Sequence, residues 1–203
     1  MKRRLRMVGS AVMGLLMMTA GAAQADAPAT DAGPFALKGV GQRSCATFVE
    51  ARTAGSPLYV QFGSWMSGYL SAYNRYMPET VDIAPWQSMD LLAAYLTNYC
   101  VAHPESTVFE AVDQLTGVLH PDRVRDPTEV VTIRGGGDSV DIYTVVIGQI
   151  QTALAERGHY GGDIDHVFGP VTRQALEQFQ SEHNLAVSGI PDQRTVYKLL
   201  HQQ

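Results

Sequence analysis

The chain has 203 residues, 45% of them hydrophobic and 17% charged, with a formal net charge of −5, which suits one large globular domain or two small ones. Its acidic excess and lack of a basic stripe exclude nucleic acid and anionic membrane surfaces as partners. No stretch supplies the ~20 apolar residues of a membrane-crossing helix, so no membrane span is expected.

The chain opens as an export signal. Lys2, Arg3, Arg4 and Arg6 form a basic head, residues 7–18 are apolar or small apart from Ser10, and Ala23-Gln24-Ala25 has the small-x-small form that a signal peptidase accepts. Cleavage after Ala25 removes four of the 15 basic residues and none of the 20 acidic ones, which moves the net charge from −5 to −9. No cysteine follows the apolar run to carry a lipid, so release into the periplasm is expected. Residues 26–43, built of Ala, Pro, Gly, Asp and Thr with little periodicity, read as a mobile leader.

Residues 44–119 carry helical periodicity. Cys45, Phe48 and Val49 open a first helix that Gly55-Ser56-Pro57 ends, and Tyr59, Phe62, Met66, Tyr69, Leu70 and Tyr73 share one face of a second, stopped at Met77-Pro78. Trp86, Met89, Ala93, Leu96 and Cys100 define a third. Pro104 suits the first turn of a fourth, whose stripe is Val108, Ala111, Val112, Leu115, Val118 and Leu119. Cys45 and Cys100 are the only cysteines, and an oxidising compartment pairs them. That disulfide staples the first helix to the end of the third and is worth about 4 kcal/mol in the chain-entropy model. Tyr59, Phe62, Trp65, Tyr69, Tyr73 and Tyr76 wrap more than one face of the second helix, which leaves room for a protein partner beside the core.

Residues 120–142 read as a linker, because Pro121, Pro127 and Gly135-Gly136-Gly137 break a charged segment; within it, 130–133 has the composition of a short strand. Helical periodicity returns over 143–203. Val146, Ile150, Ala153 and Leu154 mark one helix ending at Gly158. Gly169-Pro170 opens another with Val171, Ala175, Leu176 and Phe179, and Asp192 caps a last one with Val196, Leu199 and Leu200. The fold class is therefore all-α: a disulfide-clamped four-helix domain, a linker and a three-helix module.

The module contains an imperfect echo. Gly162-x-x-Asp165, then Gly169-x-x-Thr172-x-x-x-Leu176, is answered by Gly189-x-x-Asp192-x-x-Thr195-x-x-x-Leu199. Each copy sets a glycine at a sharp turn, a capping group and a docking leucine. Ile150-Gln151, Ala153-Leu154, Gly158-His159-Tyr160, Gly162-Asp163-Ile164-Asp165, Phe168-Gly169-Pro170, Thr172, Ala175-Leu176, Phe179-Gln180, Leu185, Ser188-Gly189, Asp192, Thr195 and Leu199 together resemble the type 1 peptidoglycan-binding domain almost end to end. The resemblance implies a three-helix fold and peptidoglycan, glycan or stem peptide, as partner. One departure is His166, which stands where the family usually has glycine.

The glycines and leucines of this pattern are explained as turns and core. The candidates for ligand contact are polar or amphipathic groups around the large turn and the following helix start: Tyr160, Asp163, Asp165, His166, Thr172 and Arg173. They offer an aromatic plate, hydroxyl donors and a cation to amides, hydroxyls and carboxylates. Asp163, Asp165 and His166 read as surface rather than as a metal site, and no cofactor is expected. No serine elbow, His-Glu-x-x-His, phosphate loop or free cysteine paired with histidine marks a catalytic residue, and Glu79 and Asp82 read as surface carboxylates. Residues 44–119 resemble, at the level of fold alone, HdeA-type acid-stress chaperones and Rap/Tai immunity proteins, through Cys45 and Phe48, Trp65-x-x-Gly68-Tyr69-Leu70, Asn74, and Tyr99-Cys100 before Pro104. Three functions follow: a noncatalytic wall-binding protein whose helical domain serves a partner or client, a wall-turnover enzyme with a centre in 44–119, or a wall-anchored chaperone or immunity-type protein.

Overall fold

A computed structural model describes residues 35–201; the expected signal peptide and most of the expected leader lie outside the described residues. Helix starts follow local chemistry. Ser44 begins α1 (Cys45–Thr53) by accepting the Thr47 N–H on its Oγ, and α2 (Pro57–Tyr76) opens on a proline, whose missing N–H costs nothing in a first turn. Ser88 caps α3 (Met89–Ala102) through the Leu91 N–H, and Thr107 with Glu110 forms a capping box on α4 (Val108–Leu119). These two caps set the starts later than the apolar pattern suggested. Pro104 lies in the turn before α4. Trp86 precedes α3, where it packs on the C-terminal core and lies 5.2 Å from the His201 ring.

The front core gathers Phe48, Phe62, Met66, Leu92, Leu96 and Val112 around the Cys45–Cys100 disulfide, which ties α1 to α3. Over this core the segment before α1 is strapped to α2. Trp65 Nε1 donates to the Lys38 carbonyl at 2.8 Å, and the indole lies so close to Gly41 that no side chain fits there. The aromatic stripe of α2 is largely engaged within the protein. Tyr69 donates to Asp113 at 3.0 Å, the Tyr73 hydroxyl sits 2.7 Å from His120 Nδ1, and Tyr76 stands in solvent. In the loop between α2 and α3, Asp82 accepts from the Ala84 N–H at 3.0 Å, while Glu79 is exposed with φ of 50°.

Residues 120–142, the expected linker, hold a 3-10 turn (His120–Asp122) and a hairpin of antiparallel strands, β1 (Val130–Gly135) and β2 (Asp138–Tyr143). Gly135 pairs with Asp138, so Gly136 and Gly137 form the two-residue loop, and their φ values of 60° and 86° are those a type I′ turn requires. Ile133 and Ile142 share a face and are buried in the C-terminal core. β2 then leads directly into α5 (Thr144–Glu156), which packs with α6 (Pro170–Glu182) and α7 (Gln193–His201) around Ile150, Leu154, Leu176, Phe179, Val196 and Leu199. Gly169 and Pro170 open α6, and the Asp192 carboxylate accepts the N–H groups of Arg194 and Thr195 at 3.0 Å to open α7.

Polar and aromatic contacts join the two cores. The Ser88 N–H donates to Gln193 Oε1, Tyr143 donates to Asp82 at 3.3 Å, and the rings of Tyr95 and Tyr197 lie 6.2 Å apart. From Phe35 onward the chain forms one compact unit.

Candidate functional site

Two buried glutamines organise the C-terminal module. Gln151, on α5, is fully buried, and its Nε2 lies within hydrogen-bond distance of Tyr160 Oη, Asp165 Oδ1, the Val167 carbonyl and Thr172 Oγ1. Its Oε1 accepts the His166 N–H at 3.0 Å. Gln180, on α6, repeats the device: Nε2 reaches the Ile190 carbonyl and the hydroxyls of Ser188 and Thr195, and Oε1 accepts the N–H groups of Ser188 and Gly189. Each copy of the sequence echo is thus pegged by one amide from the preceding helix to its turn and to the threonine of the next. Buried polar groups demand such partners.

The six candidate residues take different places around the first peg. Tyr160 and Thr172 are buried at 9% and 1% exposure; the Tyr160 hydroxyl donates to the Asp163 carbonyl at 2.8 Å, and Thr172 bonds Gln151. Arg173 is stapled elsewhere, donating to the carbonyls of Gly189 and Arg134 and lying 5.3 Å over the Phe168 ring, so it ties the second turn to the hairpin. Asp163, Asp165 and His166 are exposed along the large turn. Hydrogen bonds from Gln151 and from the Val167 N–H hold the Asp165 carboxyl below the usual carboxylate range.

His166 keeps the left-handed backbone its position requires, with φ of 63°. A non-glycine residue gives up roughly 1–2 kcal/mol there. Its imidazole lies against Gly148 in the middle of α5, where a Cβ would stand 2.6 Å from the ring nitrogen. Gly148→Ala must therefore displace the exposed His166 ring, so it gains less stability while His166 is present than in a His166→Gly background, where alanine is the better helix residue by about 0.5–1 kcal/mol. Urea titration of the four proteins of this cycle measures the coupling, and additive effects would show the ring and the helix to be independent.

Beside the large turn, α5 and α7 enclose a groove of about 420 Å3. Its lower wall is apolar, from Val145, Ala153, Leu199 and Leu200; its edges are polar, from Gln149, Thr152, Glu156, Arg157 and His166. Of the candidate residues, His166 lines this groove. The α5 members escape sequence reading because a polar helix edge looks like any solvated face. Gly148 alone gives a signal: a glycine just after the apolar run 145–147 marks a close approach.

Residues 146–199 match the family model described as a putative peptidoglycan binding domain. No curated protein and no solved structure matches the chain. The match covers nearly all of α5 and α7, the large turn and α6, so both pegs fall inside the matched segment, as does the groove except at Val145 and Leu200. Peptidoglycan binding by this segment and a disulfide in the front half both fit a cell-wall or extracellular setting. No described helix is long and apolar enough to cross a membrane.

Proposed function

We propose that this chain is an exported, noncatalytic protein of the periplasm, held to peptidoglycan by the groove between the large turn, α5 and α7. In this reading residues 143–203 are the wall-binding domain and 44–119 a clamped helical domain that serves a protein partner or client. The observation that carries it is a groove of mixed character lined mostly by the matched segment. Stem peptides and amino sugars carry methyl groups beside amides, hydroxyls and carboxylates. The methyl groups find Ala153 and Leu199, and the polar groups find Thr152, Glu156, Arg157 and His166. Asp163 and Asp165 border the same turn, whereas Tyr160 and Thr172 act by holding its shape and Arg173 by tying the second turn to the hairpin.

Co-sedimentation of the mature chain with purified sacculi tests this. The wild type pellets, and Thr152→Arg, which fills the groove from an exposed position, weakens binding at least tenfold, equivalent to about 1.4 kcal/mol. Wild-type protein left in the supernatant overturns the reading. Muropeptides released into solution replace it with a wall-turnover enzyme.

A further inference from the structure

A second cleft, of about 410 Å3, opens between α3, α4 and the end of α7. It lies on the seam of the two halves, and neither half forms it alone. Tyr95 and Tyr99 from α3 and Tyr197 and His201 from α7 line it over an aliphatic floor. The aromatic groups run as a chain: Tyr95 to Tyr197 at 6.2 Å, Tyr197 to His201 at 5.8 Å, and His201 to Trp86 at 5.2 Å. All three tyrosines are partly buried, yet among the described residues none of their hydroxyls has a hydrogen-bond partner. The exposed lining side chains Asn98, Gln114 and Asp122 are likewise unpartnered among the described residues. The three hydroxyls are not sealed from solvent, and with the exposed side chains they set six polar groups, each free to bond a ligand, around one aromatic cleft.

The lining selects a ligand class by elimination. A purely apolar ligand would cover the tyrosyl hydroxyls and satisfy none of them, at a cost for each. An anion meets no lysine or arginine in the lining and faces Asp122. A compact cation would use one carboxylate and leave the amides of Asn98 and Gln114 idle, in a cleft several times its size. What remains has an apolar face and a rim of neutral donors and acceptors, which describes a pyranose ring. The volume falls within the range of small-molecule sites, which favour seams between structural units.

We propose that this cleft binds a neutral saccharide of one or two rings. The ring C–H faces lie on the tyrosines, and the hydroxyls reach Asn98, Gln114 and Asp122. This does not rest on the wall-binding groove, because the cleft shares no residue with it.

Isothermal titration of the mature full chain with chitobiose and with cellobiose tests the proposal, with choline as the cationic control. Saturable saccharide binding is expected, with tighter chitobiose binding pointing to an amino-sugar strand as the source and equal binding to a free neutral sugar. Asn98→Ala and Gln114→Ala, both exposed positions that leave the core intact, each weaken binding severalfold, and Val118→Trp on the exposed edge abolishes it. Thr152→Arg, in the other groove, leaves it unchanged. Absence of saccharide binding, preference for choline, or binding that survives the cleft variants and vanishes with Thr152→Arg overturns the assignment.

Discussion

Gln180→Leu is expected to lower the unfolding free energy by about 1–3 kcal/mol, although leucine fills nearly the same volume. The loss comes from what the amide leaves behind. The Gly189 N–H, in a buried residue, loses its bond to the Gln180 side chain, while the Ser188 N–H keeps the Ala186 carbonyl at 3.0 Å, the Ile190 carbonyl keeps the Asp192 N–H at 2.9 Å and Thr195 keeps Asp192. One stranded backbone group, worth about 1–3 kcal/mol, sets the magnitude. Urea unfolding measures it against Gln178→Leu, two positions away on the same helix and exposed, which should change stability by no more than about 0.5 kcal/mol. Equal shifts for the two variants would mean that the buried amide does not hold the turn. Gln151→Leu should cost a similar amount and also release the His166 N–H, so it should loosen the groove as well.

The second large effect lies in the front half. Cys45 and Cys100 are fully buried, and their disulfide closes a separation of 55 residues. Replacing both with alanine frees the unfolded chain and costs about 4 kcal/mol in the chain-entropy model. For a protein of this size that lowers the melting temperature by roughly 10–15 °C. Thermal unfolding followed by circular dichroism reads the shift, and a fall of only a degree or two would show that the clamp adds little to a helical core already stable without it.

Much of the fold is legible in the residues because its determinants are local. Pro57 at the start of α2, Gly169-Pro170 before α6 and Asp192 before α7 act within one turn of where they stand. The C-terminal echo is legible for the same reason. Features that depend on distant partners are less so. Gly136-Gly137 serves a linker and a type I′ turn equally well, and only the burial of Ile133 and Ile142 distinguishes them. Gln151 and Gln180 lie within the helix pattern as polar residues, and nothing nearby says that each is sealed inside by the turn it holds. Trp86 follows the spacing of α3, yet Ser88 caps the helix after it and the indole finds the other core. Tyr160 and Thr172 have the chemistry of ligand contacts, but their hydroxyls are committed to the Gln151 network. The groove needs α7 folded back on α5, and no local spacing encodes that.

Amide chemical shifts of the isotopically labelled mature chain, followed as soluble muropeptides are added, test the wall-binding groove most directly. The expected result is a contiguous set of shifts at Gly148, Thr152, Arg157, His166 and Leu200. Saturable shifts confined to the front half, or to the α6 face away from the large turn, would contradict it.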